Sequence, residues 1–545
     1  MSPSRRDFLR STSAAAMAVG LGNRGIEMNF IPPFLSHTAR PVPDNVDIRQ
    51  LAAAAMDAAR GSGAQYADVR FAVMNYQVLS VSDRLTSPMR AAEVFSYGIR
   101  VLVDGTWGFS GRGDVTPDGV ATSARLAVAQ ARSHLTSRRQ KVELVPSPAV
   151  VDGNWKMPIR VDPFTVPVTE QIDLMLAANE AALRIKGVSG VRCTFEFLRD
   201  DRTFASTDGS FCRQLLYFAF PFVGSAEATA RSSTDRSLFT SRYVDIGASG
   251  QGYEIVLDAN LPESLPRAAE EAVAMQSARS VDVGRHDLVL HPMAIAAPLA
   301  NSLGRALELD RALGYEANAG GTTFLAPASA ILGKMRVGSP LLTLTGDRSA
   351  PKSAAAVGWD DEGVPPVPFT LIDEGLVVDY QTTRELAANL DWWYKQRGTI
   401  TRSNGCATAP VADQIPLVHN PNLLMKPSAN SASFDDIIAD TKRGFAIQGR
   451  TSGSIDQQQL NGQYSGGVVR EIRDGKLAGY VKDFAFQFRT PEFWKSLDAI
   501  GGRESMMLCP NSASKGQPRQ LALQSIGAVP VRMRQVNVIN TGRRG

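Results

Sequence analysis

The side chains that could hold a metal ion or move a proton are few in this chain and widely spaced. Its 545 residues contain five histidines: His37, His134, His286, His291 and His419. None is followed directly by glutamate, and no pair has the i, i+3 or i, i+4 spacing that puts two imidazoles on one helix face. His286 and His291 are five residues apart, but the strand-like run between them predicts that their side chains lie apart. We expect each histidine to have a satisfied structural or surface role.

Two groups of carboxylates could bind a hard cation or act as an acid and base. The run Asp360–Glu362 lies between two glycine-containing segments, a setting typical of a turn capped by its own carboxylates. Glu308 and Asp310 are two residues apart on a predicted helix, which would point their side chains in different directions. We therefore interpret both groups as structural.

The cysteines do not form a recognisable site. Four in a chain of this length, at Cys193, Cys212, Cys406 and Cys509, are too few for a disulfide scaffold. Cys193 and Cys212 lie on neighbouring strand-like runs, so a disulfide and two buried free thiols both remain open. The chain has no G-x-S-x-G nucleophile motif.

The most informative segment is Leu290–Glu316, which reads LHPMAIAAPLANSLGRALELDRALGYE. Its frame resembles the zinc-site segment of the TldD/PmbA family of peptidase-related proteins. In that family a His-Glu-x-x-x-His core precedes an acidic tail, which corresponds here to residues 308–311. Ungapped alignment on that tail places Ala300 and Asn301 at the first His and the Glu, and Arg305 at the second His. Alanine has no donor atom, and arginine is a permanent cation that repels a metal ion.

The resemblance implies that the other ligand positions are also lost. The family's third zinc ligand is a cysteine that precedes a Gly-Lys-Gly-Gln-like run, and alignment on Lys515–Gln517 places Ala513 there. A further histidine of an exported subset maps onto Ile526. Cys509 lies four residues before Ala513 and would reach the site only if the loop were rearranged. Zinc belongs to intact family members, and we expect no cofactor in this chain.

The elements that must position these residues follow from hydrophobic periodicity. In the N-terminal part, this periodicity predicts two helices, a strand and a hairpin that turns at Asp104-Gly105. These elements are the helices Asp47–Arg60 and Val120–Leu135, the strand Tyr66–Val73 and the hairpin Val94–Gly111. Within the hairpin, GIRVLVDGTWG at Gly98–Gly108 resembles the most recognisable segment of the family's N-terminal domain.

The rest of the sequence completes the pattern of an α+β protein whose two domains differ in their secondary structure. Thr169–Ile185 and Pro262–Ser280 read as helices, residues 190–256 alternate like strands, and the later chain consists of short strand-like runs ended by turn residues. We predict an N-terminal α/β domain with helices packed on a sheet, over residues 41–260. A mainly antiparallel β domain, carrying the degenerate metallopeptidase site, is predicted for residues 261–545.

Composition and charge argue against some classes of function. Hydrophobic residues make up 44% and charged residues 21% of the chain, as in ordinary globular proteins. The 58 basic against 54 acidic side chains give a net charge of +4, without a basic run interleaved with aromatics. We therefore expect no nucleic-acid partner.

The first 40 residues resemble a twin-arginine export signal followed by a linker. Ser4–Arg10 reads SRRDFLR, and the weakly apolar run Ser11–Gly22 follows it. No apolar run approaches the length of a membrane span, so no stable membrane insertion is expected. These features predict export to the periplasm or another extracytoplasmic space.

Three functions remain open from the sequence. The favoured one is a pseudo-metallopeptidase that forms a dimer with a TldD-like homologue whose zinc motif is intact, or with itself, and helps to handle unfolded peptides in proteolysis. In the family, as the resemblance implies, one subunit holds zinc and a PmbA-like partner lacks the motif. The first alternative is an active metallopeptidase whose ligands have moved, for example to His291, Glu308 and Cys509. The second is a non-enzymatic peptide-binding protein of the cell envelope.

Overall fold

The computed structural model describes residues 41–44, 46–111, 114–220, 226–231, 239–247 and 250–542. The predicted twin-arginine segment and His37 lie outside these residues. The described α-helices are α1 Ile48–Gly61, α2 Pro117–Ser133, α3 Val168–Leu183, α4 Glu254–Asp258, α5 Leu261–Ala274, α6 Pro292–Leu299, α7 Leu309–Ala312, α8 Ala328–Ile331, α9 Arg384–Ala388, α10 Asp391–Gln396, α11 Phe434–Ala439 and α12 Thr490–Lys495. A π-helix, Ala300–Gly304, and a 3₁₀-helix, Arg305–Leu307, continue directly from α6.

The strands divide between an N-terminal and a C-terminal half. Those of the N-terminal half are β1 Tyr66–Ser82, β2 Leu85–Thr86, β3 Arg90–Val103, β4 Thr106–Ser110, β5 Gly153–Lys156, β6 Val188–Ser206, β7 Phe211–Phe220, β8 Ala226–Arg231 and β9 Phe239–Tyr243. Those of the C-terminal half are β10 Arg279–Ser280, β11 Gly284–Leu290, β12 Leu344–Gly346, β13 Phe369–Asp373, β14 Leu376–Val377, β15 Ala407–Thr408, β16 Leu417–Val418, β17 Leu423–Met425, β18 Arg443–Ile455, β19 Asn461–Arg473, β20 Lys476–Lys482, β21 Phe484–Arg489, β22 Leu497–Ile500, β23 Met507–Lys515, β24 Gln520–Ala528 and β25 Val531–Asn540.

The N-terminal strands form one sheet with the order β4-β3-β1-β6-β7-β5; in addition, β2 pairs with β1, β8 with β6, and β9 with β8. Helices α1 and α2 cover β1, β3 and β4, while α3 and α5 cover the part built from β6 and β8. Side chains alternate along β1, so Val69 and Phe71 join the core beneath α1 and α2. Ala72 and Met74 point to the opposite face, where they meet Val411 of the C-terminal half.

Buried ion pairs join the two halves across that opposite face. Arg100 pairs with Asp68 at 2.7 Å and with Glu362 at 3.0 Å, and Arg202 pairs with Asp361 at 2.7 Å. The carboxylate run 360–362 is therefore the point at which the C-terminal half is fastened to the N-terminal sheet. As predicted, it is also a turn capped by its own carboxylate, because Asp360 accepts from the backbone N–H groups of Glu362 and Val364.

The C-terminal half contains two larger sheets around one apolar core. One has the order β10-β20-β19-β18-β11-β25-β21, with β22 beside β25, and the other has the order β14-β13-β12-β17-β24-β23. Most pairings are antiparallel, while β10–β20, β11–β18 and β17–β24 are parallel. Helix α6 is apolar on nearly every side and packs against β18, β23 and β24. A helix with this composition belongs in a protein interior, and the segment after it is therefore held firmly.

The predicted α+β class is confirmed, with helices on a sheet in the N-terminal half and mainly antiparallel strands in the C-terminal half. The domain boundary between residues 260 and 261 stays a prediction; Leu265 and Ala269 of α5 pack into the core beneath the N-terminal sheet. Cys193 pairs across the sheet with Val81, while Cys212 pairs with Phe204, and both cysteines are buried free thiols. Among the described helices, none has both the length and the apolar character to cross a bilayer.

Candidate functional site

The segment that contains Ala300, Asn301 and Arg305 is a single turn of π-helix at the end of α6. The N–H of Arg305 donates to the carbonyl of Ala300, five residues earlier. In an α-helix, residues five apart are separated by about 140° around the axis, so they point to different sides. The wider π turn brings positions 300 and 305 towards one side, which is the arrangement that a His-x-x-x-x-His spacing needs to bind one metal ion.

Contacts from distant elements stabilise the π turn. The hydroxyl of Ser302 donates to the carbonyl of Pro298 at 2.6 Å and accepts from the indole N–H of Trp494 at 2.9 Å. The side-chain amide of Gln381 donates to the carbonyl of Gly304 at 2.7 Å. These bonds satisfy polar groups inside an apolar core, where an unpaired group is costly. A Cβ at Gly304 would lie 2.6 Å from the Leu423 side chain and 3.0 Å from the Asn420 side chain, so a larger residue here would require those side chains to move.

The side chain of Arg305 reaches the strand that contains Ala513. Its Nη2 donates to the carbonyl of Ser514 at 3.2 Å. The structure therefore brings the end of the Arg305 side chain to the residue that follows Ala513, although the two are far apart in sequence. Asn301 hydrogen-bonds the hydroxyl of Tyr464, and burial raises the pKa of that tyrosine to about 12.

Ile526 and Cys509 lie behind this site rather than in it. Both are fully buried in the core, and they are direct partners in the β23–β24 ladder. Burial raises the pKa of the Cys509 thiol, with Asp245 adding to the rise. A thiol in this state is a poor metal ligand, because the thiolate is the form that binds metal.

A buried charge cluster follows the π turn and consists of Glu308, Asp310, Arg311 and Lys515. The Nζ of Lys515 lies 2.9 Å from Glu308 and 2.7 Å from Asp310, and the Nε of Arg311 donates to Glu308 at 2.6 Å. The expectation that Glu308 and Asp310 point apart is wrong. Glu308 precedes α7 in an extended conformation, so the two side chains are not on one regular helix and both reach the same ammonium group.

The two carboxyl groups of the charge cluster respond differently to burial. Burial alone would raise the pKa of Glu308, but the cations of Lys515 and Arg311 outweigh it and hold the pKa at about 2. Burial raises the pKa of Asp310 to about 6, although Lys515 opposes the rise. Glu308 is therefore a fixed anion at neutral pH, and its role in the cluster is structural.

Sequence reasoning missed His419 and Asn420, which are buried next to the π turn and the charge cluster. Neither ring nitrogen of His419 and neither amide atom of Asn420 has a hydrogen-bond partner among the described residues. The expectation of a satisfied role is therefore wrong for His419. Burial, with the Lys515 cation as the next largest cause, lowers its pKa to about 3. A single histidine with no partner at helical or metal-site spacing gives no signal that could have identified it.

The relocated ligand set, His291, Glu308 and Cys509, is not brought together. His291 caps α6, where its Nδ1 lies 3.5 Å from the backbone N–H of Met293, and its ring packs edge-on against Phe434. Glu308 belongs to the charge cluster. Across the described ranges, no three His, Cys, Asp or Glu side chains gather closely enough to hold a metal ion.

The side chains at the π turn do not fit a zinc ion. A structural or catalytic zinc site needs three or four nitrogen, sulfur or oxygen donors. Here position 300 is a methyl group, position 513 is another, and position 305 is a guanidinium that already donates to a backbone carbonyl. The guanidinium makes this position a hydrogen-bond donor instead of a metal ligand.

Two family models match the chain. One is described as the PmbA/TldA metallopeptidase C-terminal domain and matches residues 283–540, and the other is described as PmbA/TldA metallopeptidase domain 1 and matches residues 67–131. Together they span more than half of the chain. A metalloprotease of Methanothermobacter thermautotrophicus is 24% identical over 439 residues, which are 80% of this chain and 88% of that protein. A metalloprotease of Methanocaldococcus jannaschii is 22% identical and covers 80% of this chain and 89% of its own.

Solved structures share the fold. A Thermotoga maritima protein, named as a candidate modulator of a DNA gyrase, superposes with a TM-score of 0.68 at 17% identity and covers 90% of this chain and all of its own. TldE from Thermococcus kodakarensis superposes with a TM-score of 0.63 at 16% identity and covers 88% of this chain and 98% of its own. At these identities the likeness concerns the fold alone.

Proposed function

The chain belongs to the TldD/PmbA family of metallopeptidase-like proteins, and from that premise we propose that it is a non-catalytic member that acts beside a zinc-binding homologue. Its own contribution is to shape the peptide-binding surface of the pair. The chemical step, in which zinc and a glutamate activate water, belongs to the homologue.

The observation that best supports this proposal is the π turn itself. The Arg305 N–H to Ala300 carbonyl bond keeps the backbone geometry that would present two ligands to one metal ion. The side chains at both positions lack a usable donor. A π turn is less stable than a regular α-helical turn, so random loss of function would not be expected to preserve it. Here Trp494 and Gln381 both stabilise it through hydrogen bonds. The retained turn supports a continuing role for this surface.

The partner in this proposal is a homologue that keeps His-Glu-x-x-x-His. A subunit without a metal can still extend the groove that holds an unfolded substrate. Its affinity for the homologue makes the two chains one functional unit, while a self-dimer is the competing assembly.

The decisive experiment is metal analysis and a peptidase assay on the mature chain, alone and together with such a homologue. We expect the chain alone to carry no stoichiometric zinc and to leave an unfolded casein peptide intact. The mixed preparation should co-purify, hold zinc in proportion to the homologue, and lose its activity with a chelator. A preparation of this chain alone that contains about one zinc per molecule and digests the peptide would overturn the proposal.

We also propose that the chain is exported by the twin-arginine pathway. That pathway carries folded proteins, which suits a chain whose two halves are fastened by buried ion pairs between distant residues, such as Arg202 and Asp361. The homologue must then occupy the same extracytoplasmic space.

A further inference from the structure

Arg305 makes no ion pair with a carboxylate among the described residues, unlike six other buried arginines. Arg70, Arg100, Arg202, Arg311, Arg384 and Arg532 each have a carboxylate oxygen within 3.0 Å. Arg348 has no such contact but donates to four backbone or hydroxyl oxygens. Arg305 has the single Ser514 carbonyl, and its Nε is buried without an acceptor among the described residues.

The carboxylates around Arg305 make their close contacts with other cations. Within the charge cluster Lys515 contacts both Glu308 and Asp310, and Arg311 shares Glu308. Glu316, buried nearby, acts on Arg311 and accepts from the backbone N–H of Gly516. Three carboxylates thus face the two cations of the cluster and Arg305. Arg519, on the exposed turn after Lys515, adds a fourth cation that acts on Arg305.

A buried or half-buried cation is costly unless an anion or several acceptors accompany it. The unpartnered polar atoms of His419 and Asn420 lie beside the same turn, and both side chains are more than nine-tenths buried. This corner of the protein therefore combines an arginine that contacts no carboxylate directly with two buried polar side chains that have no hydrogen-bond partner among the described residues. A bound ligand with a negatively charged end and hydrogen-bonding groups would satisfy them.

The position of Arg305 indicates what kind of anion this is. Ser514, to which it donates, lies near the end of β23, the last strand of its sheet among the described strands. An edge strand offers backbone groups that an extended peptide can pair with. A peptide added at this edge would bring one of its termini to the guanidinium, which binds a carboxylate with two parallel hydrogen bonds.

We propose that Arg305 binds the C-terminal carboxylate of a peptide that lies along the edge of β23. This inference rests on the proposed function, since it assumes that the chain handles peptides, and it names the part of the peptide that is recognised. The guanidinium thus occupies the place of a metal ligand and serves as the positioning group for a substrate end.

The test compares two forms of one unstructured peptide, labelled with fluorescein at its N-terminus. One form ends in a free carboxylate and the other in a carboxamide. Fluorescence anisotropy would measure their affinity for the mature chain, both alone and mixed with the zinc-binding homologue. We expect the free carboxylate to bind at least about tenfold more tightly than the amide.

Variants assign that preference to the guanidinium. Arg305→Gln should bind the two forms equally, with an affinity close to that of the wild type for the amide. Arg305→Lys keeps the charge but loses the two-pronged geometry, so it should retain part of the preference. Arg285→Gln, at an exposed arginine elsewhere in the half, should behave as wild type. Thermal unfolding of each variant confirms that it is folded.

The inference is overturned if the wild-type chain fails to distinguish the two peptides in both preparations, or if Arg305→Gln keeps the preference. Neither result affects the proposed function, because co-purification, zinc content and peptidase activity of the pair are measured separately. Conversely, zinc bound by this chain alone would overturn the proposed function. The carboxylate preference would still be decided by the peptide-binding measurements.

Discussion

The Nζ of Lys515 lies 2.9 Å from the carboxylate of Glu308, and this contact ties the end of strand β23 to the segment that follows the π turn. Lys515 also contacts Asp310 at 2.7 Å and donates to the carbonyl of Val418 at 2.8 Å. One ammonium group therefore holds three parts of the chain together. The site beside Arg305 depends on this anchor for its shape.

Replacing Lys515 with methionine should strongly destabilise the protein. The substitution keeps most of the side chain's volume but leaves Asp310 buried without its cation and Glu308 with Arg311 alone. Breaking a buried ion pair from one side costs about 3–5 kcal/mol. The free energy of unfolding, measured in urea, should fall by that amount. Lys476→Met, at an exposed lysine of β20, is the matched control and should change it by less than about 0.5 kcal/mol; equal effects of the two variants would contradict this account.

His419 should make the protein sensitive to mild acid. Burial lowers its pKa from 6.5 to about 3 in the folded state, with contributions from Lys515 and Arg348 that outweigh the opposing effect of Glu308. The unfolded chain therefore binds a proton on this ring at a higher pH than the folded chain does. Its contribution to stability is present above pH 6.5 and is lost as the pH falls towards 3.

The measurement compares urea unfolding of the wild type and His419→Gln at about pH 7 and about pH 5. The acid-induced loss of stability should be smaller in the variant by about 2 kcal/mol, because the unfolded histidine is almost fully protonated at the lower pH. The shift of Asp310 is present in both proteins and cancels in the comparison. His134→Gln, at an exposed histidine after α2, should show the wild-type dependence. An unchanged pH profile in His419→Gln would show that this ring is not held neutral.

The hairpin β3–β4 requires glycine at position 108 for a steric reason. A Cβ there would lie 2.0 Å from the carbonyl oxygen of Ala127 and 2.8 Å from the backbone nitrogen of Ala131, both in α2. Gly108→Ala should therefore push α2 away from the sheet and lower the free energy of unfolding by about 1–3 kcal/mol.

Gly61→Ala is the matched control for that substitution. Gly61 is the last residue of α1, and a Cβ there meets no atom within 4 Å. Alanine should be neutral or stabilising by up to about 1 kcal/mol, since it restricts the unfolded chain. Chemical unfolding of both variants checks the pair, and an equal loss of stability at the two positions would rule out the steric explanation.

Much of the N-terminal half could be predicted because its signals are local. Asp47 was expected at the start of a helix and caps α1 with its side chain. Asp104 and Gly105 were expected at a hairpin turn, and both have positive φ between β3 and β4. Caps, turns and periodicity depend on neighbours within a few residues, so the sequence alone carries them.

The site was only partly predictable because its contacts are long-range. Ala300 and Arg305 stay predicted site positions, and their alignment gave no sign of the π turn that contains them. Glu308 was predicted to point away from Asp310. Instead, both carboxylates contact Lys515, which lies 207 residues after Glu308. His419 gave no signal, since the groups that act on its buried ring, such as Lys515 and Arg305, come from distant parts of the chain. Burial and distant partners are properties of the folded chain, not of a local pattern.

The twin-arginine prediction can be tested in cells that carry the tagged full-length chain. Arg5→Lys with Arg6→Lys should leave the precursor in the cytoplasm, because the export machinery recognises the arginine pair. Cell fractionation and immunoblotting of both forms measure the outcome. Arg10→Lys keeps the pair and should export normally. If the double lysine variant reaches the periplasm as efficiently as the wild type, the segment has another role.

The π turn predicts that a zinc site can be built at this position by substitution. We expect the combined variant Ala300→His, Asn301→Glu, Arg305→His and Ala513→Cys to bind about one zinc ion per chain, because the turn already orients positions 300 and 305 and Ser514 adjoins position 513. Zinc content by mass spectrometry, and the visible spectrum of a cobalt-loaded sample, would report the binding and its tetrahedral ligands.

The matched control carries the same substitutions but retains Arg305. It should bind no stoichiometric zinc, because a guanidinium supplies no lone pair and repels the ion. Position 300 is fully buried, so a histidine there needs room, and circular dichroism must first show that each variant is folded. If the combined variant folds and remains free of zinc while the solution contains it in excess, positions 300, 305 and 513 do not form a metal site, and the π turn does not orient two ligands.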